Sequence, residues 1–280
     1  MLENTFSHIP GIGPKTERRL WDAGILSWDQ ALLNPIPLSA AKTATLHQYV
    51  HESLAHLKQN DARYFYDRLA TPEQWRLFTA FRDSIAYLDI ETTGLGAPGD
   101  HITTISLYDG HTVRTYVHGQ NLQDFGRDIE QYELLVTYNG KSFDIPFIRS
   151  NLGLPMEHAH IDLRYVLASQ GYKGGLKGCE KQLGIDRGNL VEVDGYFAVL
   201  LWKDYVDTGD QRTLDTLLAY NVLDVINLET LLVIAHNEKL MEGPFEVSGR
   251  LPAPEQPPNP FHADRGTIYR IKMSSRPTWW

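Results

Sequence analysis

The sequence predicts an α/β layer fold preceded by a small helical domain, and three observations carry that reading. Residues 1 to about 70 show helix signals and no alternating strand pattern. Four strand-like runs follow, at Ile85 to Ile90, Ile102 to Tyr108, Val113 to Val117 and Leu134 to Tyr138. After the fourth run the patterns are mainly helical, over 176 to 183, 195 to 206 and about 210 to 238. Three strands, then strand and helix in alternation, describe a layered α/β domain.

Taken in order, the first region covers residues 1–70. The second, 71–240, opens at Thr71-Pro72-Glu73-Gln74, where a hydroxyl at the N-cap, proline at the first helical position and an amide at the third suggest a capping box. Trp75, Leu77 and Phe78 would supply the buried face of that helix. Asp109-Gly110 reads as the hairpin turn between the second and third strands. The third region, 241–280, contains Pro252, Pro254, Pro257, Pro258 and Pro260 and reads as an extended, weakly ordered tail. Within it Thr267 to Met273 alternates in strand fashion before Trp279 and Trp280.

The 280 residues carry 26 Lys+Arg against 35 Asp+Glu, a net charge of −9, which argues against a binder held only by bulk basic charge. With 42% hydrophobic residues the chain can bury a core, so disorder of the whole chain is excluded. The single cysteine, Cys179, permits no internal disulfide and no Cys-rich zinc site, which suits a reducing compartment. The start lacks a signal-peptide pattern, and apolar stretches such as Tyr196 to Trp202 fall short of a membrane span. A cytoplasmic protein without a membrane partner is the expectation.

Chemistry is suggested by three clusters. Asp89 and Glu91 end an otherwise apolar strand, two residues apart and so on one face, at the carboxyl end where open α/β sheets place their sites. An acidic strand terminus is the plainer account of that pair alone. Asn139-Gly140 ends the fourth strand, and Asp144 stands where the next helix opens, as an N-cap. Gly140-Lys141-Ser142 imitates a phosphate-binding loop, but Leu135 stands where that loop needs glycine. Tyr220 and Asp224, four apart in a long apolar-faced helix, can reach one site together.

In order and combination these clusters resemble the three motifs of the DEDDy 3′-to-5′ exonucleases, in the DnaQ-like branch of the ribonuclease H-like superfamily. Leu88 to Leu95, with Trp75-Arg76-Leu77 upstream and the Gly175-Leu176-Lys177, Glu180 and Arg187 segment downstream, looks most like the YprB-like group. The resemblance covers about residues 71 to 238. It implies a three-layer fold with a central mixed sheet, and 3′-to-5′ hydrolysis of DNA or RNA at a single-stranded 3′ end. Position 219, where a DEDDh enzyme carries histidine, is Ala, hence the tyrosine subtype. By the same resemblance Asp89, Glu91, Asp144 and Asp224 hold two divalent cations, Mg²⁺ or Mn²⁺, and Tyr220 orients the attacking water. Thr92, Leu95, Asn139 and Phe143 would contact the terminal nucleotide. The physics agrees, since four converging carboxylates without cations repel one another and are driven to protonate. A ribonuclease H-like endonuclease, or a nucleic-acid-binding scaffold that keeps the fold, is the alternative. Asp162 is expected to cap a helix or support the site from outside the quartet.

Ile9 to Leu20 resembles the hairpin of a helix-hairpin-helix motif, with Gly11 and Gly13 one residue apart. Lys15, Arg18 and Arg19 add local positive charge for a nucleic-acid backbone. An ordinary glycine turn or a protein-docking surface competes with that reading. His47, His51 and His56 share a helical pattern that suits a polar face better than a zinc site. Lys173, Lys177 and Lys181 either guide phosphates or solubilise the surface.

Overall fold

The computed structural model describes residues 1–245 and 249–274, so the terminal Trp279 and Trp280 lie outside the described residues. The first region forms α1 (Pro14–Asp22), α2 (Trp28–Leu33), α3 (Ala40–Lys58) and α4 (Ala62–Tyr66). Ser27 caps α2 by accepting the Gln30 amide and Asp61 caps α4 through Tyr64, each satisfying a donor that a helix start leaves open. Its apolar side chains, among them Leu2, Phe6, Leu20, Trp28 and Phe65, join Ile85, Tyr87 and Leu134 of the sheet in one continuous core. Glu17 is buried and ties the regions further, accepting the amides of Phe6 and Ser7 at 2.6 and 2.9 Å and pairing with Arg76 at 3.0 Å.

The capping box at Thr71 does not form. Residues Thr71–Leu77 make a 3₁₀ helix whose N-cap is Ala70, with no side-chain cap. Of the two expected capping side chains, the Gln74 amide is drawn away by a tertiary partner, accepting Lys141 at 2.6 Å. The buried face of Trp75, Leu77 and Phe78 is as expected.

Strands β1 (Ile85–Thr92), β2 (Ile102–Tyr108), β3 (Val113–Val117), β4 (Leu134–Thr137) and β5 (Ala159–Asp162) form one mixed sheet in the order β3-β2-β1-β4-β5. β1 is antiparallel to β2 and parallel to β4, and is therefore central and covered on both faces. Ala86, Leu88 and Ile90 pack on one side, against α5 (Phe125–Ile129) and α6 (Asp144–Leu152). Tyr87 points to the other side. The second layer is built from α7 (Leu163–Ser169), α8 (Gly175–Gln182), α9 (Gly195–Thr208) and α10 (Gln211–Leu240), with α10 crossing β1 and β2. α10 is long and apolar enough by composition to cross a membrane, but 83% of its most apolar window is buried in this core.

The segment 249–260 is extended, as its prolines require, and it is pinned along α10: Leu251 exchanges two hydrogen bonds with Asn237, and Asn259 donates to the Ala219 carbonyl. The strand expected over Thr267 to Met273 is instead helix α11 (Arg265–Ser274). Asp264 accepts the Thr267 amide at 2.7 Å, and Thr267, Ile268 and Ile271 are buried at helical spacing beside α9 and α10.

Candidate active site

Side chains alternate along β1, so Asp89 and Glu91 share the face of Tyr87, the face that α10 covers. The β1 to β2 register shifts between Glu91 and Thr92, an irregularity that ends regular pairing where the acids sit. Asp224 comes down from α10, and oxygens of Asp89, Glu91 and Asp224 lie within 4.8 Å of one another. Asp144 arrives from the start of α6. Its N-cap reading is corrected: Phe143 is the N-cap, Asp144 is the first helical residue, and its Oδ1 accepts the Ile90 amide of β1 at 3.2 Å. The carboxylate is held against the strand that carries Asp89 and Glu91. All four acids and Tyr220 line one cleft of about 580 Å³, with Thr92, Leu95, Tyr138, Asn139, Phe143, Leu176, Tyr196 and Val199 among its walls.

Other side chains fix the quartet. Asn221 donates to Asp89 Oδ2 at 2.6 Å while its Oδ1 accepts the hydroxyls of Ser106 and Thr104 at 2.7 and 3.1 Å, which orients both ends of the amide. Arg187 is buried between Asp224 and Glu180; it pairs with Asp224, and with Glu180 at 2.7 Å, while Asn227 donates to Glu180 at 2.7 Å. Lys177 Nζ stands 4.9 Å from the Tyr220 ring centre and the Arg187 guanidinium 5.3 Å from it.

Charge is the unfilled requirement of this site. Burial and then the neighbouring carboxylates, Asp224 foremost, push Asp89 and Glu91 well above the usual carboxylate range. Burial pushes Asp144 up to about 7, against the amides it accepts. Asp224 is raised as well, although Arg187 opposes the shift. Burial and the same carboxylates raise Tyr220, so its hydroxyl keeps its proton. An all-oxygen, acidic, preorganised donor set fits a hard divalent cation, whose charge removes the repulsion that burial has imposed.

That fit predicts an unusual stability profile. A carboxyl with a raised folded pKa binds its proton more tightly folded than unfolded, so its contribution worsens as pH climbs from the unfolded value near 3.8 through the folded value of about 7. In chelator the melting temperature is expected to fall between pH 5 and pH 8, and to fall less in Asp144→Asn. Mn²⁺ at a hundred times its dissociation constant should return about 2.7 kcal/mol, on the order of 5 to 10 °C. A profile that is the same in wild type and variant and does not respond to Mn²⁺ overturns the cation fit.

The other expected residues fall differently. Thr92 lines the cleft but spends its hydroxyl on the Gly94 carbonyl at 2.6 Å, shaping the turn. Leu95 is 92% exposed at the rim, on a loop that Asp100 closes by accepting the amides of Gly96 and Ala97. Asn139 adopts a left-handed φ of 68°, and Gly140 beside it leaves no room for a side chain, since a Cβ would stand 2.3 Å from Thr137 Oγ1. Asp162 caps α7 and accepts the amides of Asn139 and Lys141 at 2.7 and 3.1 Å, so it supports the turn from outside the quartet. Gly11, Gly13, Lys15, Arg18 and Arg19 do not line the cleft. Gly13 is the N-cap of α1, but one 3₁₀ turn, Leu2–Asn4, stands where a helix would precede the hairpin. Arg18 is engaged by the Glu242 carbonyl at 2.7 Å, whereas Lys15 and Arg19 are exposed. His47 bonds the Ala31 carbonyl, His56 bonds Asp61 and His51 is exposed, so the three form no common metal site. Of the three lysines, Lys177 reaches the cleft side while Lys173 and Lys181 stay exposed.

Sequence reasoning missed Asn221, Arg187 as a partner of Asp224, and Tyr196, a 71% exposed ring at the start of α9 on the cleft wall. The motif around Tyr220 contained Asn221, but only the packing of α10 on β2 turns it toward Asp89.

Residues 86–236, more than half of the chain, match RNase_H_2 of the RNase_H superfamily. The uncharacterized protein YprB of Bacillus subtilis (strain 168) is 29% identical over 183 residues, covering 58% of this chain and 44% of that protein. The chain thus spans less than half of that relative's length. A family B DNA polymerase from the hyperthermophilic archaeon Pyrobaculum calidifontis superposes with a TM-score of 0.42 and 18% identity over 56% of this chain and 24% of the polymerase chain. With the family match spanning the mixed sheet, α10 and all four acids, the chain belongs to the RNase H superfamily.

Proposed function

We propose that this chain is a metal-dependent 3′-to-5′ exonuclease of the DEDDy type, acting on DNA or RNA. One observation carries the reading: Asp89, Glu91, Asp144 and Asp224 meet in a single cleft with Tyr220 one helical turn from Asp224. The four carboxylates would hold Mg²⁺ or Mn²⁺. Two such ions, when bound, supply an activated water and a counter-charge for the leaving 3′-oxygen. The protein's own groups do the positioning. Asn221 fixes Asp89, Arg187 fixes Asp224, and the protonated Tyr220 hydroxyl orients the nucleophilic water. Leu95, Phe143 and Tyr196 frame the terminal nucleotide with apolar and aromatic surface that accepts any base. On the helical segment, Lys15 and Arg19 are free to track a backbone in the manner of a helix-hairpin-helix hairpin.

Labelled single-stranded and duplex DNA and RNA with Mg²⁺ or Mn²⁺ test this. A 5′-labelled strand is expected to give a descending ladder and a 3′-labelled strand to release mononucleotide at once, while circular single strands resist. Cutting of the circle would make the enzyme an endonuclease. Because Leu2, Phe6 and Trp28 share the main core, truncation would unfold more than the segment, and Lys15→Gln with Arg19→Gln is the proper variant. With Ca²⁺ in place of Mg²⁺, the slope of log affinity against log salt should flatten by about 1.4 to 1.8 units if each side chain neutralises one phosphate. An unchanged slope removes the segment from substrate binding.

A further inference from the structure

We propose that the chain carries an anion site apart from the carboxylate cleft, specific for a phosphate group, in a cavity of about 250 Å³ lined by α4, α6, β5 and the turn after β4. Arg63, Lys141, Arg149, His158 and His160 line it, with Tyr66 as an aromatic wall, and among the described residues no acid does. In a chain of net charge −9, this cavity presents two cations without a carboxylate partner, Lys141 and Arg149, beside two imidazoles, and so offers positive charge to an anion from outside the fold.

The partners of these groups leave their charge available. Arg149 donates Nε to the Pro155 carbonyl at 2.8 Å and Nη2 to the Met156 carbonyl at 3.0 Å, so the guanidinium is rigidly held with Nη1 still free to donate. Lys141 donates to Gln74 Oε1 at 2.6 Å and keeps two further N–H bonds, its ammonium 5.1 Å from the Tyr66 ring centre. Neither forms an ion pair with a carboxylate among the described residues, and Asp162, the nearest acid to Lys141, is occupied by three backbone amides. Only Arg63 is neutralised, by Asp67 at 2.8 Å. Thr137 Oγ1 accepts the Gly140 amide at 3.0 Å and shares a hydrogen bond of 2.8 Å with His160 Nε2, which fixes the imidazole in the cavity wall. His158 Nε2 donates to the Ile129 carbonyl at 3.1 Å, so its buried, unpartnered Nδ1 can donate to a ligand only when the ring is protonated. Burial lowers Lys141 from its usual range against the pull of Asp162, and burial, assisted by Lys141, His158 and Arg149, lowers His160 to about 3.

A planar guanidinium beside an ammonium matches the oxygens of a phosphate. The volume is below the range of about 300 to 1,000 Å³ typical of small-molecule pockets, so it admits a phosphate group with part of its sugar and excludes a base. The site is distinct from the carboxylate cleft yet shares one segment with it. Residues 139–145 give Asn139, Phe143 and Asp144 to the cleft, and Lys141 and Ile145 to this cavity. The phosphate therefore belongs either to a strand lying across that segment or to a free nucleotide.

Calorimetry on the full chain in chelator, at low salt, tests this without metal in the cleft and so independently of whether the protein hydrolyses anything. Inorganic phosphate and deoxyadenosine 5′-monophosphate are expected to bind, and deoxyadenosine not to. Lys141→Gln with Arg149→Gln should weaken both tenfold or more while the protein stays folded by circular dichroism, and Arg149→Lys, which keeps the charge but loses the planar guanidinium, should bind more weakly than wild type and more tightly than the double variant. A thymidine oligonucleotide over a salt series separates the sources. A slope reduced by about 1.4 units in the double variant assigns the site to strand phosphates, and an unchanged slope with weakened mononucleotide binding assigns it to a free phosphate ligand. Equal binding of all phosphates by wild type and variants, or no binding by wild type, overturns the proposal.

Discussion

Asp89→Asn is expected to lose at least about a thousandfold in hydrolysis rate while staying folded, and Asp224→Asn to lose as much. Each 1.36 kcal/mol is a factor of ten, and a misplaced divalent ion removes several kcal/mol of transition-state stabilisation. The two variants are not equivalent controls. An asparagine at 89 can still accept from Asn221, and it relieves the repulsion that lifts the whole quartet, so the metal-free variant should melt at or above the wild-type temperature. At 224 the substitution leaves Arg187 buried with Glu180 as its one remaining carboxylate, so this variant is expected to melt below the wild-type temperature. Asp89→Asn is thus the decisive measurement, paired with Mn²⁺ binding. Undiminished degradation by a folded Asp89→Asn protein would sink the assignment of the quartet.

Tyr220→Phe is expected to reduce turnover about a hundredfold or more, with divalent-cation affinity little changed. The ring survives the substitution, so the contacts from Lys177 and Arg187 survive too, and only the hydroxyl is lost. Because burial and the surrounding acids hold that hydroxyl protonated, the proposed role for it is to donate and orient rather than to ligate metal. A parallel loss of cation binding and turnover would show that the variant had moved α10 and Asp224. Full activity would remove the tyrosine from the mechanism.

By itself the sequence determined the strands from Ile85 to Leu134, the long helix around Tyr220, and the acids that converge. The strands and the helix follow from local rules, alternation placing Asp89 and Glu91 on one face and a four-residue step stacking Tyr220 on Asp224, whereas their convergence with Asp144 was implied by the family resemblance. It also misled where local rules met tertiary competition. The capping box at Thr71 lost Gln74 to Lys141, the apparent strand over Thr267 to Met273 became α11 against α9 and α10, and the capping role of Asp144 gave way to the Ile90 amide. Four-residue β5 carried too little pattern to be seen. Tertiary structure alone decided which polar side chains serve the carboxylates. Asn221 reaches Asp89 from 132 positions away and Arg187 reaches Asp224 from 37, contacts that no periodicity encodes. The same holds for the phosphate cavity, whose cations come from α4, the turn after β4 and α6. Electrostatics acts through space, so only the folded chain could show which charges were paired and which were left for a ligand.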